Sequence, residues 1–129
     1  MKLLLDTNIL VAAVTRDTER SEDAIELLNE ATDTYVSMLN LMELRTVLSK
    51  KKLFERDRID QIENRITSRT AVTVPDASDM IRANQFQEET FLYPMDALIL
   101  AAADALDATL VTFDSELVEH GAVLPDAVR

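Results

Sequence analysis

The chain has no cysteine, no tryptophan, one histidine (His120) and one glycine (Gly121) in 129 residues. Without cysteine there are no disulfides and no thiolate metal sites, which fits a reducing interior. A single glycine excludes the glycine-rich GxGxxG turn and the P-loop, which need several glycines where backbone meets phosphate. No apolar run reaches the roughly 18 residues that a membrane span requires. Lys2, three leucines and then a charge make too short an apolar core for a secretory signal. The expectation is a soluble, cytoplasmic protein with no membrane association.

Positive charge is also scarce: 13 basic residues face 24 acidic ones, for a net charge of −11 and a pI near 4.4. Such a chain is a poor general binder of nucleic acid. A solvated, self-repelling surface of the kind high-salt cytoplasm favours explains part of the excess. A group of carboxylates gathered around a cation would explain another part, although discounting four of them still leaves −7. The distribution is uneven. Residues 45–69 carry eight basic side chains and four acidic ones, an island of +4 on a remainder of −15. That island, from Arg45 through Lys50, Lys51 and Lys52 to Arg69, is either a contact surface or an ordinary solvated helix face.

What is present is a regular alternation of strand and helix. With 47% hydrophobic residues the chain is expected to fold, as one domain spanning residues 1–129. Leu3-Leu4-Leu5 reads as a short buried strand ending at Asp6, with Thr7 and Asn8 as caps for a helix over 9–14. Thr15 to Thr18 reads as a polar connection, and Ser21 as the cap of a helix carrying Ala24, Ile25, Leu27, Leu28 and Ala31 inward. Thr34–Ser37 is β-branched and aromatic, a second strand. A helix follows from Met38 to about Lys51, with Leu41, Met42, Leu44, Val47 and Leu48 on its apolar face. Ile59, Ile62 and Ile66 mark an amphipathic helix over 57–67. Ala71–Val74 reads as a third buried strand closed by Pro75. Residues 77–90 read as a helix with Ala77, Met80, Ile81, Ala83 and Phe86 inside. Pro94 suits the first turn of the next helix, whose run from Met95 to Ala103 is apolar enough to lie in the interior. Ala108–Phe113 forms a fourth strand, and the tail holds a short helix up to Gly121 and an edge strand at 122–124. This pattern predicts a three-layer α/β/α domain with a mostly parallel central sheet of four or five strands.

Four acids are out of place in that pattern. Asp6 and Asp114 end strands, Glu43 interrupts an apolar helical stretch, and Asp96 opens the most hydrophobic helix. Each also has a local explanation: Asp6 or Asp114 as a cap, Asp96 as a first-turn acid favoured by the helix dipole, Glu43 as an exposed residue after a modest rotation. In a parallel sheet, however, strand ends and the first turns of following helices share one edge of the domain. Carboxylates gathered there raise each other's pKa unless a cation is present. Their hard oxygen ligands suit Mg²⁺ or Mn²⁺ better than zinc.

The segments Leu5–Leu10, Met42-Glu43-Leu44, Met95–Ile99 and Leu110–Asp114, in this order and at these separations, resemble the four motifs of PIN-domain ribonucleases. In length and spacing the chain is most similar to the VapC-type toxins of toxin–antitoxin pairs. The resemblance implies that Asp6, Glu43, Asp96 and Asp114 form an acidic quartet holding one or two Mg²⁺ or Mn²⁺ ions, with Asn8 and Thr112 in supporting roles. It further implies an endoribonuclease that cleaves RNA phosphodiester bonds through metal-activated water. The expected partners are an RNA substrate, an antitoxin that blocks the acidic site, and a second copy in a homodimer. Leu53, Phe54, Phe91, Leu92 and Tyr93 are apolar candidates for such contacts. The basic residues Arg45, Lys50, Lys51 and Lys52, assisted by Arg16 or Arg20, are expected to guide the RNA backbone.

Two positions depart from the family pattern. Leu106-Asp107-Ala108 replaces the usual glycine before the last core strand, and Leu117 stands where an aromatic often follows the last acid. Other strand-Asp families fit poorly, because a haloacid-dehalogenase-type phosphatase needs a second Asp where Asn8 stands and a receiver domain needs an early acidic pair. The remaining alternative is a catalytically inactive PIN-like module that binds RNA or a partner protein.

Overall fold

The computed structural model of the chain describes residues 1–16 and 19–128; Asp17 and Thr18 of the expected polar connection, and Arg129 at the end of the tail, lie outside them. The elements are β1 (Leu3–Leu5), α1 (Thr7–Thr15), α2 (Arg20–Glu30), β2 (Thr34–Ser37), α3 (Met38–Thr46), α4 (Arg56–Arg69), β3 (Ala71–Thr73), α5 (Ala77–Glu89), α6 (Pro94–Leu106), β4 (Thr109–Val111) and α7 (Ser115–Glu119). All strand pairings are parallel and the strand order is β3-β2-β1-β4.

Side-chain alternation along β1 builds both cores. Leu3 and Leu5 point into an apolar layer with Ile9, Leu10, Ala24, Leu27, Leu44, Ile59 and Ile62 from α1 to α4. Leu4 points the other way, into a layer with Ala97, Ala101, Leu110 and Leu117 from α6, β4 and α7. A strand buried on both faces reads as a continuous apolar run, which is why three leucines suffice. The result is the expected three-layer arrangement.

The local differences have physical causes. Ala71–Val74 is not a buried strand: β3 is the outermost strand, and Val72 and Val74 are 38% and 66% exposed. In α5 the Asp79 side chain accepts from the Asp76 N–H while the Asp76 side chain accepts from the Asp79 N–H, a reciprocal cap. That cap turns Asp79, Ala83 and Phe86 inward and leaves Ala77, Met80 and Ile81 in water. Met42 is likewise exposed, because the buried stripe of α3 runs through Leu41 and Leu44 and continues to Leu48 in the turn beyond it. Thr7 and Asn8 lie inside α1, whose cap is Asp6 itself, and Ser21 is buried in the first turn of α2 rather than capping it. The last edge strand contracts to a single parallel bridge between Val111 and Val123. Of the apolar contact candidates, Leu53, Phe91 and Tyr93 are exposed but Leu92 is buried, and Phe54 is half-buried beneath the Arg58 guanidinium, 3.9 Å from its ring centroid.

With one glycine available, left-handed turns fall to other residues: Arg16, Leu53 and Asp107 have φ of 56°, 57° and 54°. Asp107 makes the turn where the family pattern has glycine. Its N–H bonds the carbonyls of Ala103 and Asp104, and the Ala108 N–H bonds the Ala103 carbonyl at 2.9 Å, so α6 ends and β4 begins without one. Aspartate tolerates this region better than most side chains.

Candidate active site

The chain leaves β1 toward β2 on one side and returns, through α5 and α6, to β4 on the other. The strand order therefore reverses between β1 and β4, and in open parallel sheets the crevice beyond such a reversal is where ligands collect. Asp6 leaves the end of β1 there, and Thr112, Phe113 and Asp114 leave the end of β4.

These segments are stitched together by buried polar groups. The Asp6 carboxylate accepts from the Thr7 N–H and from the Thr112 hydroxyl, both at 2.8 Å. The Thr112 oxygen in turn accepts from the Asn8 side-chain amide and from the Asp114 N–H, both at 3.0 Å. The Asn8 carbonyl oxygen receives the Phe113 N–H at 3.1 Å. Asp114 caps α7 by accepting from the Glu116 N–H at 2.9 Å. Capping and membership of the acidic group are thus compatible for both Asp6 and Asp114, since a capping bond takes only one of the roughly four lone-pair sites of a carboxylate.

Glu43 is positioned by a device the motif reading missed. Ser37 and Asn40 form a reciprocal cap at the start of α3: the Ser37 hydroxyl accepts from the Leu39 N–H, and the Asn40 side chain accepts from the Ser37 N–H at 3.1 Å. The Asn40 amide also donates to the Thr7 hydroxyl at 3.1 Å. Ser37, Asn40 and Thr7 are all buried, so this chain fixes the α3 axis against the first turn of α1 and hence Glu43 relative to Asp6. The sequence signal was Ser37-x-x-Asn40 ahead of an apolar run, a variant of the capping box.

Asp6, Glu43, Asp96 and Asp114 line one open cleft of about 620 Å³, together with Asn8, Thr15, Arg20, Thr46, Lys51, Lys52 and Phe113. Burial raises the Asp6 pKa, opposed by its hydrogen bonds from Thr112 and Thr7 and reinforced by the charges of Glu43 and Asp114. Asp96 is pushed up to about 6 by burial and then by the charges of Asp114, Asp6, Glu116 and Glu43. Asp6 and Asp96 therefore both feel the charges of Glu43 and Asp114.

Among the described residues no three acidic or histidine side chains converge closely enough to enclose an ion by themselves. That is compatible with Mg²⁺, which takes one or two carboxylates and keeps several waters or phosphate oxygens as its remaining ligands. The donor chemistry and the mutual repulsion fit a hard divalent cation.

The basic island does not stay together. Arg45 is held by Asp60 at 2.6 Å and Glu63 at 3.0 Å, pinning α3 to α4, and is absent from the cleft lining. Lys50 is also outside the lining, whereas Lys51 and Lys52 are in it. Arg58, Arg65 and Arg69 join Arg16 around a second cavity of about 520 Å³ between α1, α2 and α4. Arg20 does border the acids, its guanidinium 4.9 Å from the centre of the Phe113 ring.

A parallel three-layer domain with four carboxylates in the crevice where its strand order reverses is an acidic-site α/β protein. The chain belongs to the PIN domain family, whose profile matches residues 3–123. Among solved structures it is similar to a toxin–antitoxin complex from Klebsiella pneumoniae (23% identity, 95% of this chain and 97% of that one, TM-score 0.75). It is also similar to the sarcin-ricin loop cleaving toxin VapC20 of Mycobacterium tuberculosis (19%, 94% and 96%, TM-score 0.80). DNA-bound VapBC from Salmonella typhimurium is a third (23%, 96% and 96%, TM-score 0.77). At these identities the likeness is one of fold. No curated protein matches the chain in sequence.

Proposed function

We propose that the protein is a divalent-metal-dependent endoribonuclease and the toxin of a toxin–antitoxin pair. The observation that carries this is the cleft: four carboxylates from β1, α3, α6 and the end of β4 share it, and burial and repulsion hold Asp6 and Asp96 above their ordinary range. Asp6, Glu43, Asp96 and Asp114 are the residues to hold Mg²⁺ or Mn²⁺, one ion or two. Such an ion, when bound, acidifies water and offsets charge on a phosphoryl oxygen. The protein's own contribution is positional. The Thr112 hydroxyl, itself bonded by Asn8, and the Thr7 N–H aim the Asp6 carboxylate and partly offset the rise in its pKa. The Ser37–Asn40–Thr7 chain sets α3 and with it Glu43 against α1, and the first turn of α6 delivers Asp96. The fold neighbours that are toxins and toxin–antitoxin complexes support the toxin reading, and a toxin acting on RNA would work in the cytoplasm.

The test is cleavage of an RNA substrate with and without EDTA, using Asp6→Asn and Asp96→Asn as controls. Metal-dependent cleavage lost in both variants supports the reading. Cleavage that survives EDTA, or both substitutions, would refute it, and RNA binding without any cleavage would leave the inactive PIN-like module.

The antitoxin is assigned to the second cavity. Its floor is apolar, from Val14, Ile25, Leu28, Ile62 and Ile66, and Arg16, Arg58, Arg65 and Arg69 stand around it on a chain of net charge −11. Local positive charge over an apolar floor suits an acidic amphipathic segment, whose continuation would cover the acidic cleft. Arg58→Glu with Arg65→Glu should weaken capture of the antitoxin and leave RNA cleavage intact. A homodimer would cover the apolar side chains left in water on and just after β3, on α5 and in the turn before α6, namely Val72, Val74, Met80, Ile81, Phe91 and Tyr93. Sedimentation equilibrium of wild type and Ile81→Asp tests this assignment.

A further inference from the structure

Beyond α3 the helix does not continue in the same register. Over Val47–Lys51 it widens into a π-helical turn closed by the Lys52 N–H on the Val47 carbonyl at 3.1 Å, an i→i+5 bond. The Phe54 N–H then bonds the Leu48 carbonyl at 2.9 Å, and Leu53 ends the helix in the left-handed region. The Ser49 hydroxyl donates to the Thr46 carbonyl at 3.3 Å and competes for an acceptor that the regular ladder would use. Such turns insert one residue into a helical face and recur at functional sites.

The insertion decides which lysine looks into the cleft. Glu43, Thr46 and Val47 line it, at helical spacings of three and four. Continued as an α-helix, the same face reaches Lys50 next and turns Lys52 to the opposite side. With the widened turn the lining passes to Lys51 and Lys52, and Lys50 leaves it. From a second element Arg20 enters the same cleft, its guanidinium set over Phe113, the residue preceding Asp114.

We propose that the π turn at 47–51 selects Lys51 and Lys52, with Arg20, as the side chains that bind the phosphodiester backbone of the substrate at the acidic cleft. The inference rests on the ribonuclease reading and refines it, because the sequence treats Lys50, Lys51 and Lys52 as equivalent and adds Arg45. The selected cations are positioning residues. They bring the backbone to a cleft whose own charge repels it, and they lie on two elements flanking the carboxylates.

The test measures binding of a single-stranded oligoribonucleotide in EDTA, where cleavage does not interfere, across a range of salt concentrations. Lys51→Ala and Lys52→Ala should each weaken binding several-fold and reduce the magnitude of the slope of log K against log salt by about 0.7, the value for one lost phosphate contact on a single strand. Arg20→Ala should do the same, and Lys50→Ala should change neither quantity. In the presence of metal, Lys51→Ala should raise KM and leave kcat within about twofold. Circular dichroism of each variant separates these effects from misfolding. Equal losses for Lys50→Ala and Lys51→Ala, or no change in slope for any of the lysines while the wild type still cleaves RNA, overturn the register assignment alone. A wild type that neither binds nor cleaves RNA overturns it together with the ribonuclease reading.

Discussion

The Thr112 hydroxyl donates to Asp6 across the β1–β4 boundary at 2.8 Å, joining residues 106 positions apart in the chain. Its oxygen also accepts from the Asn8 amide and the Asp114 N–H. The other acceptor within reach of its one proton, the Asn8 carbonyl oxygen, is farther away at 3.4 Å, so the shorter bond to Asp6 takes it. A donor fixed in this way favours the carboxylate over the acid. Burial pushes the Asp6 pKa up, and this bond pulls it back. Thr112→Val keeps the shape but removes the proton and the acceptor, leaving two donors unmatched. Stability should fall by about 1–3 kcal/mol, measured by urea unfolding, while Thr112→Ser should retain most of it. Divalent-cation affinity, read by calorimetry, should fall in the valine variant as the Asp6 carboxylate becomes easier to protonate.

Asp96 gives a pH dependence of unusual sign. Its folded pKa lies at about 6, above the ordinary aspartate value of 3.8, from burial and from neighbouring carboxylates. Between those two values the folded state holds more protons than the unfolded one, so this group's contribution to stability falls as pH rises through the window and levels off above it. Asp96→Asn should therefore raise Tm at pH 7.5 by roughly 4 °C, an amount kept small by solvent screening of a partly exposed group, and should have little effect at pH 4. Mg²⁺ or Mn²⁺ should raise the wild-type Tm more at pH 7.5 than at pH 5, and by less in the variant. Differential scanning fluorimetry at the three pH values checks all of this.

Asn40 should matter to activity without touching substrate. Asn40→Ala removes the acceptor of the Ser37 N–H and the donor to the Thr7 hydroxyl, both buried. The expected cost is about 1–3 kcal/mol in stability. Because Glu43 is one turn further along α3, kcat for RNA cleavage should fall well beyond what the lost folded fraction explains. Denaturant unfolding and single-turnover cleavage on the same preparation separate the two effects.

Leu53 has φ 57° and is 79% exposed, so its backbone is strained with little packing in return. A left-handed conformation costs a non-glycine residue about 1–2 kcal/mol, part of which glycine gives back through greater freedom in the unfolded chain. Leu53→Gly should stabilise the protein by about 0.5–1 kcal/mol in chemical denaturation. Asp107→Gly should gain less, because aspartate accepts this conformation more readily.

Much of the architecture was legible because it rests on local periodicity. Leu3-Leu4-Leu5 could only be a strand buried on both faces, Ile59, Ile62 and Ile66 only a helix with one inner side, and the apolar run of α6 only an interior helix. The errors fall where the periodic signal is ambiguous about direction. Val72 and Val74 are β-branched whether a strand is central or at an edge, and Met80 and Ile81 look inward until the Asp76–Asp79 cap fixes the rotation of α5.

Asp6, Asp96 and Asp114 could be picked out because a charge at a strand end or at the start of an apolar helix contradicts its surroundings, and such contradictions are visible in one dimension. Glu43 is exposed beside Met42, and it is the fold that brings it to the cleft. The sequence by itself thus determined the alternation of elements, the two-sided burial of the first strand and the presence of charges at strand ends and at the start of an apolar helix. Which cations accompany them was decided only in three dimensions. Arg45, Lys50, Lys51 and Lys52 are alike in charge and close in sequence. Asp60 and Glu63, contributed by α4, hold Arg45 away from the cleft, and one residue of π-helical widening exchanges Lys50 for Lys51. Both effects depend on backbone hydrogen bonding and on neighbours from other elements, to which a charge count along the chain is blind.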